Sequence, residues 1–288
     1  MFKGSIVALV TPFSNGEIDE KALGELVDFH IGNGTSAILP CGTTGESATL
    51  DHDEHLRVIQ MVIEAASGKV PVIAGTGSNS TAEAIYLTRE AAKLHAEAAL
   101  LVSPYYNKPT QEGLYQHYKA VAESVDIPII LYNVPSRTGK NIEPETVARL
   151  SVIDNVAAIK EASGSLDQAS QIASLCDITI VSGDDSLTLP LMSIGATGVI
   201  SVAANVVPRL LANMTGAWLE GDPATARKLH FELFPLFKAL FIETNPIPVK
   251  AAVAALGKIK EQYRLPLCPM GAPNREKLLG VMRDMNLI

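Results

Sequence analysis

Eight short apolar runs, each followed by a longer stretch with helical spacing, constrain this chain more than any other feature of it. The candidate strands are Ser5–Val10, Ala37–Leu39, Val72–Ala74, Ala98–Val102, Ile127–Tyr132, Val156–Lys160, Ile178–Ser182 and Gly198–Val202. Candidate helices alternate with them near Glu20–Asn33, Asp53–Ser67, Thr81–His95, Gln111–Val125, Pro144–Leu150, Leu166–Leu175, Ser186–Ile194 and Pro208–Leu219. The runs lack polar alternation, which marks strands covered on both faces, as in a parallel sheet. Eight such units in about 220 residues fit the roughly 200–250 residues of a (β/α)8 TIM barrel. After Gly221-Asp222-Pro223 the pattern turns purely helical, near Ala224–Phe241, Pro248–Leu256 and Arg275–Met285. The expected organisation is an α/β fold with a catalytic barrel over residues 1–221 and a C-terminal helical appendix over residues 222–288. A doubly wound sheet is the alternative. It usually carries a glycine-rich phosphate loop, yet Gly75-Thr76-Gly77-Ser78-Asn79-Ser80 has Ser80 where the third glycine should stand.

Composition narrows the function classes. The 288 residues can bury a substantial core, and 47% hydrophobic with 19% charged residues is the balance of a globular protein. Acidic residues number 31 against 23 basic, a net charge of −8. That sign argues against a protein that tracks nucleic-acid phosphates. No stretch approaches the roughly 18 apolar residues of a membrane span. The first apolar run, which ends at Thr11-Pro12, lacks both the length and the cleavage site of a signal peptide. Cys41, Cys176 and Cys268 are widely spaced and odd in number, which suits reduced thiols in a cytosol and no disulfide framework or zinc site. The expectation is a cytoplasmic protein with neither nucleic-acid nor membrane partners.

A barrel holds its active site at the C-terminal ends of its strands, so the residues that follow each run deserve inspection. Those ends carry Gly42-Thr43-Thr44-Gly45-Glu46, Tyr105-Tyr106, Tyr132 with Arg137, Lys160-Glu161, Gly183-Asp184-Asp185 and Ser201. Lys160 has two readings. It is a strand-end lysine that snorkels to water, or an amine nucleophile. Desolvation disfavours the charged form of a lysine, which frees the lone pair to attack a ketone as a Schiff base. Tyr132, at the end of the preceding strand, is either the acid/base for that chemistry or a core tyrosine with its hydroxyl satisfied. The Gly42–Gly45 turn offers backbone N–H groups and two hydroxyls to a small carboxylate. Arg137 can clamp a second carboxylate, although a loop arginine is ordinarily just hydrated. His52 and His55 bracket Asp53-Glu54 at a spacing of three, which reads as a solvated helix start and not as a metal site.

With those residues assembled, the chain resembles the dihydrodipicolinate synthase family. That family is a branch of the pyruvate-dependent Schiff-base (class I) aldolases, which also include N-acetylneuraminate lyases. The resemblance runs from Gly4-Ser5-Ile6-Val7-Ala8-Leu9-Val10-Thr11-Pro12 to the final helices. It rests on Gly42-Thr43-Thr44-Gly45-Glu46, Tyr132-Asn133-Val134-Pro135-Ser136-Arg137-Thr138-Gly139, Ile159-Lys160-Glu161-Ala162 and Asn245-Pro246-Ile247-Pro248-Val249-Lys250. The resemblance implies that Lys160 forms the Schiff base with pyruvate and that no cofactor or metal is needed. Tyr132, Thr43 and Tyr106 would form a proton relay, with Tyr106 contributed by a neighbouring subunit. Thr43 and Thr44 would hold the pyruvate carboxylate, Gly183 and Ile200 would line the same pocket, and Arg137 would bind the carboxylate of L-aspartate 4-semialdehyde. The product would be 4-hydroxy-tetrahydrodipicolinate, the first committed step of diaminopimelate and lysine biosynthesis. Lyases acting on sialic acid or keto-sugar acids are the alternative, and they typically lack this arginine.

The same resemblance implies an allosteric site for L-lysine at Ser47, Ala48, His52, His55, Asn79, Glu83 and Tyr105. It also implies a homotetramer built as a dimer of dimers. Glu161 has no role in this reading.

Overall fold

The structure, a computed structural model, describes residues 2–288. Its eight barrel strands are Gly4–Ala8, Ala37–Leu39, Ile73–Gly75, Ala98–Val102, Ile129–Asn133, Val156–Glu161, Thr179–Ser182 and Gly198–Ser201. All pair in parallel, and each lies beside its sequence neighbours; the eighth returns to the first with Ile6 opposite Ile200. A single parallel bridge from Ile38 to Val72 joins the second strand to the third and closes the barrel. The expected (β/α)8 TIM barrel with C-terminal helices is therefore the architecture found.

Side-chain alternation along each strand divides the core into two shells. Ile6, Ala8, Leu39, Leu100, Ile130, Tyr132, Ala158, Val181 and Ile200 fill the interior. Their neighbours in sequence, among them Val7, Ile38, Leu101, Leu131 and Ile159, face outward against the helices. Both faces are apolar, which is why the strands read as unbroken hydrophobic runs.

Helix starts follow from local chemistry. The helix His52–Ala66 opens on a capping box, in which the Asp51 carboxylate accepts from Glu54 N and Glu54 accepts from Asp51 N. Ser80, Thr110 and Ser165 cap the helices Thr81–Lys93, Gln111–Ala122 and Leu166–Leu175 with their hydroxyls. Among the described residues, no helix is long and apolar enough to cross a membrane.

Three local features depart from the expected elements. A two-stranded ribbon, Phe13–Ser14 with Glu17–Ile18, follows the first strand. The loop that carries Arg137 winds into a single helical turn, Pro135–Thr138, ended by Gly139 in the left-handed region at φ 71°. The helix expected over Ser186–Ile194 is shorter, Thr188–Met192, because a 3-10 turn over Asp185–Leu187 precedes it.

The C-terminal helices Pro223–Ala239, Ile247–Ala255 and Ala272–Asp284 share one continuous apolar core with the outer face of the barrel. Leu233, Leu236, Phe237, Val249, Leu278 and Met282 belong to it. The segment between the first two reaches over the mouth of the barrel, where Phe241 and Asn245 line a cavity.

Candidate active site

A cavity of about 220 Å³ lies at the C-terminal mouth of the barrel, and the residues that line it include Thr43, Thr44, Tyr132, Arg137, Lys160 and Gly183. Register explains why they meet. Tyr132 and Lys160 are paired across the fifth and sixth strands, and both project to the barrel interior. Two residues earlier on the same faces, Ile130 and Ala158 form an apolar layer below them. Lys160 is only 6% exposed. Its Nζ stands 4.2 Å from the centroid of the Tyr132 ring, and among the described residues it pairs with no carboxylate. An amine held in an apolar barrel, facing a phenol, has the placement of a nucleophile with its proton carrier beside it.

Gly183 makes room for that lysine. A Cβ at this position would lie 2.6 Å from Ala162 Cβ and 3.1 Å from Lys160 Cε, so any larger residue would clash with Ala162 and crowd the lysine stem. Ile200, expected on the pocket wall, belongs to the interior apolar cluster and not to the lining. It packs with Ala8, Leu39 and Tyr132, which do line the cavity.

The turn after the second strand forms a single 3-10 turn, Thr43–Gly45. Thr43 is half-buried and Thr44 buried. Thr44 Oγ1 accepts from Asn245 Nδ2 at 3.0 Å. The Oδ1 of Asn245 is buried without a partner among the described residues, an acceptor available to a donor on a bound molecule. Arg137 stands exposed at the mouth. Its Nη2 donates to Asn245 O at 3.1 Å, and among the described residues it pairs with no carboxylate. The guanidinium fork therefore keeps donors for an incoming anion.

Asn245 and Phe241 also line the cavity, and reading the strand ends alone missed them, whereas Asp184, which lines it too, stands at the inspected end of the seventh strand. Both missed residues come from the segment expected to be an appendix; the Asn245-Pro246-Ile247-Pro248 run, already one of the motifs, was the available signal.

Tyr106 does not join the others within this chain. It is 89% exposed, at φ 71°, on the loop after the fourth strand, and it lines neither large cavity. Glu161 faces outward, away from Lys160. It is buried and accepts from Asn133 Nδ2 at 3.0 Å, Gln168 Nε2 at 3.3 Å and Ser163 N at 2.7 Å. These bonds tie the end of the sixth strand to the fifth strand and to the following helix.

A second cavity of about 460 Å³ adjoins the first and shares Thr43, Val134, Arg137 and Asn245 with it. Ser47, Ala48, His52, His55, Glu83 and Tyr105 line it. Asn79 stands behind the lining, and its Nδ2 donates to Tyr105 O at 3.2 Å. His52 Nε2 lies 2.7 Å from Glu83 Oε1, and the Ser78 hydroxyl donates to the same carboxylate. That hydroxyl, against the opposing effect of burial, holds Glu83 below the usual carboxylate range, with His52 adding to it. His55 corrects the reading of a solvated helix start. It is 6% exposed, its Nε2 lies 2.6 Å from Gly75 O, and burial lowers its pKa, so it is a neutral structural donor.

Comparison with known proteins extends these observations. Residues 1–284 match the model of the dihydrodipicolinate synthetase family. The chain is 60% identical over 290 residues to the 4-hydroxy-tetrahydrodipicolinate synthase of Trichlorobacter lovleyi, with both chains covered in full. It superposes with a TM-score of 0.98 and 47% identity on the chloride-inhibited dihydrodipicolinate synthase of Acinetobacter baumannii complexed with pyruvate, each chain covered completely. The enzyme of Cyanidioschyzon merolae with lysine bound gives a TM-score of 0.97 and 43% identity, covering 100% of this chain and 99% of that one. Matched over nearly its whole length, the chain belongs to the dihydrodipicolinate synthetase family, a family of lyases.

Proposed function

We propose that the chain condenses pyruvate with L-aspartate 4-semialdehyde through a Schiff base on Lys160. The observation that carries this reading is the buried Lys160 amine over the Tyr132 ring, in a cavity with the guanidinium of Arg137 at its mouth. The pyruvate bound in the similar A. baumannii enzyme supports the first substrate.

The amine attacks the pyruvate ketone to give a carbinolamine, and loss of water gives the iminium. Tyr132 and Thr43 carry the protons this requires. Thr44 and its neighbouring backbone N–H groups receive the carboxylate. Loss of a methyl proton gives the enamine, whose carbon forms the new C–C bond with the aldehyde of the second substrate. The positive charge on Arg137 holds that substrate's carboxylate. Transimination by the substrate's own amine then closes the ring and frees Lys160, leaving 4-hydroxy-tetrahydrodipicolinate. No cofactor takes part, because the iminium itself is the electron sink.

Tyr106 completes the relay from a neighbouring subunit in this reading, which its exposed position suits. The assembly is then at least a dimer, and we place it as a tetramer of two such dimers. The larger cavity takes L-lysine as an inhibitor, with Glu83 toward the ligand ammonium and Tyr105 next to Tyr106 as the coupling element. The lysine-bound C. merolae enzyme supports that assignment.

The test is a substrate comparison with an L-lysine titration. Turnover of pyruvate with aspartate semialdehyde, falling as lysine rises into the millimolar range, is the expected result. Turnover with a sugar-derived aldehyde alone identifies a different aldolase, and a rate unaffected by lysine removes the inhibitory site.

A further inference from the structure

One charged pair near the catalytic turn has no place in the chemistry above. Lys250, on the helix Ile247–Ala255, and Glu46, directly after the Thr43–Gly45 turn, are both wholly enclosed and bonded to each other. The Lys250 amine also stands 4.3 Å from the centroid of the Phe13 ring. The second Glu46 oxygen accepts from Arg264 N at 3.2 Å. Glu46 adopts the left-handed conformation at φ 54°, so the direction of its side chain is tied to the path of the turn.

We propose that Lys250 is a positioning residue which, through Glu46, fixes the Thr43–Thr44 turn against the pyruvate site. The inference rests on the proposed reaction and names what holds its carboxylate-binding turn in place. Packing alone does not account for the pair. Taking two charges out of water is costly, and an apolar pair of the same volume commonly serves stability as well or better. What the ion pair adds is direction. It gives the turn one fixed partner, 204 residues away in sequence. Asn245 supplies a second fastening from the same C-terminal segment through its bond to Thr44. Residues 44 and 46 are thereby held by one short stretch of chain, which fixes the turn that carries Thr43 into the cavity it lines together with Lys160.

The experiment uses the full-length protein with Glu46→Gln and Lys250→Met combined, which removes both charges at nearly constant volume and leaves no buried lone charge. Thermal unfolding confirms that the variant is folded. Expected is a pyruvate KM raised at least fivefold and a kcat lowered at least tenfold, while saturating pyruvate still loads Lys160. Glu46→Asp, which keeps the charge and tolerates the left-handed conformation but shortens the tether, is expected to shift both constants in the same direction by a smaller factor. A purely structural pair would change the unfolding midpoint and leave both constants of the folded enzyme within twofold of the parent, and that result overturns the proposal. The two readings fail separately. An inactive parent chain contradicts the reaction, whereas an active parent matched by both variants contradicts the positioning role.

Discussion

The Lys160 amine lies 4.2 Å from the centroid of the Tyr132 ring, its register partner on the neighbouring strand. This arrangement separates two contributions of the tyrosine, its ring as a wall and its hydroxyl as a proton carrier. Tyr132→Phe keeps the first and removes the second. General acid–base groups contribute about 10²- to 10⁴-fold, so kcat is expected to fall by roughly 10²-fold or more. Steady-state kinetics checks this, and a kcat within threefold of the parent contradicts the relay.

Gly183 tests the shape of the same cavity. With a Cβ only 2.6 Å from Ala162 Cβ and 3.1 Å from Lys160 Cε, Gly183→Ala must shift Ala162 and crowds the lysine stem. Overpacking of this kind costs about 1–3 kcal/mol. The variant is expected to fold, with its yield of pyruvate adduct on Lys160 reduced at least tenfold at limiting pyruvate. An undiminished yield, read by intact mass after reduction, speaks against the close packing.

Arg137 separates the two substrates. Its guanidinium sits at the cavity mouth, held by Asn245 O, with no carboxylate partner among the described residues. Hydrogen bonds to charged groups contribute about 1.5–3 kcal/mol, so Arg137→Leu is expected to raise the KM for the semialdehyde by about 10- to 100-fold. The pyruvate KM should move far less. Equal changes in both constants contradict the assignment.

The larger cavity makes its own prediction through Glu83, whose carboxylate is held ionised by the Ser78 hydroxyl and His52. Glu83→Gln removes the charge that would face a lysine ammonium. The concentration of L-lysine needed for half-inhibition is expected to rise at least tenfold. An unchanged inhibition curve excludes this carboxylate as the ligand's partner.

Acid should unfold the protein in part through His117. Its ring is buried, with Nδ1 2.9 Å from Thr81 Oγ1 and Nε2 unpartnered among the described residues, and burial lowers its pKa to about 4. The unfolded chain takes up this proton near pH 6.5 and the folded chain only near 4, so the unfolded state gains as pH falls between those values. The stability this side chain loses on acidification is about 3 kcal/mol. His117→Gln should flatten the dependence of the urea midpoint on pH in that window, and an unaltered slope contradicts the buried neutral ring.

What the sequence revealed follows the range of each interaction. The barrel was legible because eight strands covered on both faces leave an apolar run at every turn of the repeat. Lys160 and Tyr132 were legible because each ends such a run. The ribbon at Phe13–Ile18 was not, since two-residue strands fall below any periodic window. His55 looked solvated beside Asp53 and Glu54, and only the Gly75 carbonyl, 20 residues on, gives it a buried partner. The Asn245–Thr44 and Lys250–Glu46 contacts join positions more than 200 residues apart, so no local pattern announces them. They also show that the C-terminal segment takes part in the mouth of the barrel and does more than cover its side.

The measurement that bears most directly on the central claim is borohydride reduction of the protein with pyruvate, followed by peptide mass mapping. The expected result is one reduced pyruvate adduct, on the peptide that contains Lys160, and none in Lys160→Ala. No adduct, or an adduct that persists on another lysine in that variant, contradicts the Schiff-base assignment.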